Sequence, residues 1–162
     1  MTTAVAWYTP VALKKYLSRL EVLPASRALD EEFWTRVHEE VQAQLAGLET
    51  DVRRQAAGIR VDAGRTNGDG FYLFSYLTFS VPDSPVDPVV AGLTFTPVPG
   101  GLTIEADVSG EQTGDWVSTA TSKTVRDSPD ELLRAARESA RGLRGKAEAI
   151  AAALKNSSRR VN

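Results

Sequence analysis

The spacing of apolar positions along the chain changes twice, from three or four residues to two and back again. Leu13, Tyr16, Leu17 and Leu20 fall at helical spacing behind Thr9, a candidate N-cap, and Pro10, which suits a first helical position. A short amphipathic helix is predicted there, broken at Pro24. Between residues 29 and 57, Trp34, Val37, Val41, Leu45, Leu48 and Val52 recur every three or four positions. Asp30, Glu31 and Glu32 sit in the first turn of that stretch, where the macrodipole favours carboxylates. A long helix follows, roughly 40 Å if unbroken, with Gly47 or Thr50 as points of interruption and Gly58 as its stop.

From residue 59 to 125 the period falls to two. Strands are predicted over 59–62, 70–81, 89–96, 102–109 and 116–125, joined most simply as a meander, with residues 63–68 as a flexible turn. Pro99 and Gly100 suit the central positions of a type II turn. Pro82, Pro85 and Pro88 recur every third residue and predict a stiff connection. Ser128 as cap and Pro129 at the first position then open a last helix. Its seam, Leu133, Ala136, Ala140, Leu143, Ala147, Ile150 and Leu154, is rich in alanine and permits close approach of a partner helix or sheet. Residues 156–162 read as a basic flexible tail behind a single domain of residues 1–155. The order implies an α+β fold: a single antiparallel sheet of about five strands, two long helices on one face, and a short N-terminal helix.

Length and composition agree with one soluble domain: 162 residues, 42 % hydrophobic and 25 % charged. No apolar run approaches the roughly 20 residues of a membrane span and no signal-peptide pattern opens the chain, so cytoplasm is the default expectation. The absence of cysteine excludes disulfides, thiolate zinc sites and thiol nucleophiles. Net charge is −2, distributed as 0 over residues 1–61, −6 over 62–127 and +4 over 128–162. An acidic middle repels phosphate backbones, which argues against a nucleic-acid partner.

Catalytic motifs fail one by one. His38 begins "HEEVQ", where a zinc helix needs a second histidine at residue 42, and the chain has only one. Gly145 and Lys146 lack the rest of a phosphate loop, and neither Ser-x-x-Lys nor G-x-S-x-G occurs. No metal, cofactor or catalytic residue is therefore expected. His38 reads as a helix-face residue beside the Trp34, Val41 and Leu45 stripe.

Residues 67–81, "NGDGFYLFSYLTFSV", carry the densest run of aromatic rings. Period two sends Phe71, Leu73, Ser75, Leu77, Phe79 and Val81 to one face, where they join the apolar sets of the next two strands beneath the helices. Tyr72, Phe74 and Tyr76 go to the other face with Thr94, Thr96, Glu105 and Asp107. That mixed aromatic and acidic surface is the candidate partner-binding site, because rings supply area and hydroxyls supply hydrogen bonds. Arg134, Arg137, Arg141 and Arg144 line one side of the last helix and form a secondary candidate, against weak surface pairing with Asp130, Glu131 and Glu138.

The expected function is a non-catalytic protein-binding domain: an adaptor, a cargo chaperone or an immunity-type partner that neutralises a toxin. One alternative is a small-ligand protein or enzyme, with Glu105, Asp107, or Asp115 beside Trp116, in a pocket between helices and sheet. Another is a structural subunit, a homodimer joined through the Leu133 to Leu154 seam.

Overall fold

The computed structural model describes residues 31–66, 73–126 and 128–160. The helix expected at Leu13 to Leu20, and the residues Phe71 and Tyr72, lie outside the described residues. The elements run α1 (Glu31–Gln55), β1 (Arg60–Thr66), β2 (Leu73–Ser80), β3 (Val89–Val98), β4 (Gly101–Gly110), β5 (Trp116–Arg126), α2 (Pro129–Gly142), a 3-10 turn (Leu143–Lys146) and α3 (Ala147–Arg160). All strand pairs are antiparallel in the order β1-β2-β3-β4-β5, so the sheet is a meander and the fold is α+β.

α1 is unbroken through Gly47, and the whole expected stripe, Trp34, Val37, Val41, Leu45, Leu48 and Val52, is buried. It lies on the sheet face made by Leu73, Leu77, Phe79, Ala91, Leu93, Phe95, Ile104 and Val108, all buried. Trp34 meets Phe95 edge to face at 5.9 Å and fixes α1 over β3.

An odd number of antiparallel strands returns the chain to the direction in which it entered, so α2 runs parallel to α1. The side-chain pairs show this. Arg137 reaches Glu40, Arg141 reaches Gln44 and Arg144 reaches Asp51, advancing together along both helices.

Three expectations are corrected here. Residues 63–66 continue β1 rather than forming a flexible turn, because Gly64 stands directly across from Tyr76 in the ladder. The last helix is divided by the turn at Leu143–Lys146, which follows the poor helix former Gly142 and contains a second, Gly145. Its backbone stays helical to Arg160, past the expected start of a tail at residue 156. The seam from Leu133 to Leu154 is buried throughout, packed within the chain against α1 and the sheet.

Two local expectations match. Gly100 has φ +82° between the paired residues Val98 and Gly101, as position i+2 of a type II turn requires. The proline-spaced connection is held near the end that leads into β3. Val86 is buried, and the Asp87 carboxylate accepts hydrogen bonds from the amides of Gln112 and Thr113 and from the Thr113 hydroxyl. That tie fixes the β2–β3 connection against the β4–β5 turn.

Candidate functional site

The two faces of the sheet hold different chemistry. On the helix-covered face the polar exception is Ser75, 0 % exposed between Leu73 and Leu77. Its hydroxyl lies 2.8 Å from His38 Nδ1, and Gln42 Nε2 donates to the same hydroxyl at 3.2 Å and to the Tyr76 carbonyl at 3.1 Å. The Ser75 oxygen can accept from Gln42 and still either donate to His38 Nδ1 or accept from it, according to the imidazole tautomer. Burial, reinforced by the nearby Arg65 guanidinium and opposed by Glu39, holds His38 below the ordinary histidine range. The grouping resembles a nucleophile and base, but Ser75 is 0 % exposed, and Gln42 bonds the serine and the Tyr76 carbonyl rather than orienting the histidine. It joins α1 to β2.

On the outer face, ladder register places Thr66, Phe74, Thr94, Glu105 and Ser122 in one row and Gly64, Tyr76, Gly92 and Asp107 in the next. Phe74 and Tyr76 stack with ring centroids 4.7 Å apart and planes 26° from parallel. The Tyr76 ring lies over Gly64: a Cβ added there would sit 2.6 Å from the tyrosine oxygen. The ring thus shields a strand position that has no side chain of its own. At Gly92 an added Cβ would sit 2.5 Å from the Ser75 carbonyl oxygen and 2.7 Å from Tyr76 Cβ, so glycine is what allows β2 and β3 to approach there.

A trough results. The aromatic pair stands over β1 and β2, the small residues Gly92 and Thr94 form the floor on β3, and Glu105 and Asp107 stand on β4. Thr94 is only 6 % exposed, yet its hydroxyl makes no hydrogen bond with the described residues. Burial first, and then the like charge of Glu105, raises the Asp107 carboxyl above the usual aspartate range. No cation among the described residues offsets either carboxylate.

Of the residues expected in the primary site, Phe74, Tyr76, Thr94, Glu105 and Asp107 are brought together, with Thr96 one position further along β3 opposite Thr103. Tyr72 lies outside the described residues. The arginine row packs against α1. Arg137, Arg141 and Arg144 bond to α1 while staying partly or largely exposed, at 3.1 Å to Glu40, 3.4 Å to Gln44 and 2.7 Å to Asp51, rather than pairing within their own helix. Arg134 is exposed and has no such partner among the described residues.

The pocket expected between helices and sheet is also corrected, because core side chains fill that space and Glu105 and Asp107 stand on the opposite face. Asp115 and the 62 % exposed Trp116 lie at the β4–β5 turn. A depression of about 320 Å³ does open at the β1 edge of the outer face, between Asp62, Tyr76, Thr78, Pro88 and Glu111. The sequence signal for it was the outward alternation of Asp62 with Gly64 and Thr66, hidden when residues 63–68 were read as a turn. Among the described residues no group of histidine and carboxylates is arranged to hold a metal, and no helix is long and apolar enough to cross a membrane.

No protein-family model matches this chain, and no curated protein or solved structure matches it.

Proposed function

We propose that this chain is a non-catalytic protein-binding domain that receives its partner on the outer face of the sheet. An adaptor, a cargo chaperone and an immunity-type inhibitor all fit that role. The supporting observation is the stacked Phe74 and Tyr76 pair standing across a low β3 floor from two carboxylates that have no counter-ion among the described residues. Aromatic area next to unsatisfied polar groups is what a protein interface uses, whereas stability alone favours paired charges or apolar contact.

A comparative pull-down tests the reading. Phe74→Ser removes half of the aromatic pair and leaves Tyr76 over Gly64, while Arg134→Ala alters the exposed helix side. A stoichiometric partner of the native chain should be lost with Phe74→Ser and kept with Arg134→Ala. Retention by Phe74→Ser together with loss by Arg134→Ala would move the interface to the helices and overturn the proposal.

A further inference from the structure

We propose that the trough along β3 takes an extended basic segment of the partner, with lysine or arginine at alternate positions over Glu105 and Asp107. This rests on the protein-binding reading and specifies the chemistry of the partner. The width of the trough selects the conformation. The Cα rows of β2 and β4 lie about 9.6 Å apart, two strand spacings, and the side chains of Phe74, Tyr76, Glu105 and Asp107 narrow that gap. A helix with its side chains is about 10–12 Å across, so it is too wide to settle on the floor, whereas a single extended strand fits.

The spacing of the carboxylates selects the pattern. Glu105 and Asp107 are two residues apart on one strand and face the same way, roughly 7 Å from each other along β4. Side chains at alternate positions of an extended segment have the same repeat and face the same way, so two cationic residues meet two carboxylates in register. Charge selects the sign. The outer face carries Asp62, Glu105, Asp107 and Glu111, and the described base nearest to them in sequence, Arg60, is already bound to Asp62 at 3.0 Å.

The floor itself admits a backbone. Thr94 lies there between Phe74 and Glu105, and no hydrogen bond to its hydroxyl is made by the described residues. The backbone of a strand lying in the trough brings amide and carbonyl groups to it. The aromatic pair flanks the same floor and offers ring faces to the aliphatic stems and charged heads of arginine or lysine.

The test uses the full chain and three synthetic peptides: one alternating arginine with threonine, one with the arginines replaced by glutamate, and one with the same composition but the arginines contiguous. The alternating peptide should bind, the glutamate peptide should not, and the contiguous peptide should bind more weakly. Combining Glu105→Gln with Asp107→Asn, which preserves shape, should weaken the alternating peptide by roughly tenfold, as expected for losing two partly exposed ion pairs. Combining Asp62→Asn with Glu111→Gln removes the same charge elsewhere on the face and should leave affinity nearly unchanged.

Equal loss in the two double variants would reduce the effect to diffuse attraction and overturn the proposal. Failure of the alternating peptide to bind, or equal binding of the contiguous one, would overturn it as well. If the peptides fail while Phe74→Ser still abolishes capture of the native partner, the protein-binding reading stands and only the basic extended segment is rejected.

Discussion

Both faces of β2 carry polar atoms among apolar ones, but only the helix-covered face has them bonded. There, Ser75, His38 and Gln42 complete one another within a core of Leu73, Leu77, Leu93 and Phe95. On the outer face, Thr94, Glu105 and Asp107 are left without partners one strand spacing or two away. The difference teaches where to look for function in a chain without catalytic motifs. A domain of ordinary stability has little margin for unsatisfied groups, so two carboxylates left unpaired among the described residues of the outer face mark a surface that something else can complete. The buried Ser118 hydroxyl opposite Val108, by contrast, is an open group on the covered face.

The largest expected effect tests whether the covered face is the structural one. Leu93→Ala, at a position 0 % exposed, should destabilise by about 2–5 kcal/mol, because the cavity left in the core cannot fully collapse. Phe74→Ser on the half-buried outer face should cost less. Denaturant midpoints of the two variants check the order, and a larger loss at Phe74 would invert the comparison.

Gly92→Ala links the two faces. The added methyl meets the β2 backbone, which cannot move aside as a flexible side chain would, so a loss of about 1–3 kcal/mol is expected. Thermal unfolding measures it. The same methyl would raise the floor of the trough, so any ligand affinity should fall with stability. Ser75→Ala removes the hydroxyl that Gln42 and His38 share and should cost about 1–3 kcal/mol by leaving buried polar groups unpaired. Equilibrium unfolding should show the loss without a change in m-value.

How much of this was legible in the sequence follows from which forces are local. The alternation from Leu73 to Phe79 and the stripe from Trp34 to Val52 are local periodicities, and both gave the right elements and the right buried side. Pro99 and Gly100 specified their turn by backbone chemistry alone. The outer-face grouping was also legible, since alternation on adjacent strands of a meander fixes which residues share a face. What was not legible depends on contacts distant in sequence. Gly64 reads as a turn residue until Tyr76 covers it, and a half-buried His38 reads as a plain helix residue until Ser75, 37 positions on, takes its nitrogen. The partners of the arginine row were hidden similarly, because the α1 carboxylates that bind Arg137 and Arg144 are 97 and 93 residues away in the chain.

Two titrations sharpen the comparison, since the faces respond to pH with opposite signs. His38 is held below its ordinary pKa in the folded chain, so the unfolded chain takes up a proton first as pH falls. Stability should therefore be fully present above the ordinary histidine range, about 6.5, and decline as pH drops from there through the lowered folded value. Denaturant midpoints measured from pH 8 to 5 should show the decline, and His38→Gln should flatten it. Arg65 and Glu39 are the charged groups that act on the same imidazole, the first lowering and the second raising its pKa.

Asp107 gives the smallest and most discriminating effect. Its pKa is raised by burial and by Glu105, so the folded chain holds the proton more tightly than the unfolded chain does. The charged carboxylate then costs stability at neutral pH, and the cost disappears as pH falls below the ordinary aspartate range, about 3.9. Asp107→Asn should unfold at a slightly higher temperature than the native chain at pH 7 and at the same temperature in acid. A residue that serves only the fold does not improve it when neutralised. Such a gain, together with weaker binding of the alternating arginine peptide, would mark Asp107 as a position held for a partner at some expense of stability. A loss of stability on neutralisation would return the carboxylate to the fold and make the two faces alike.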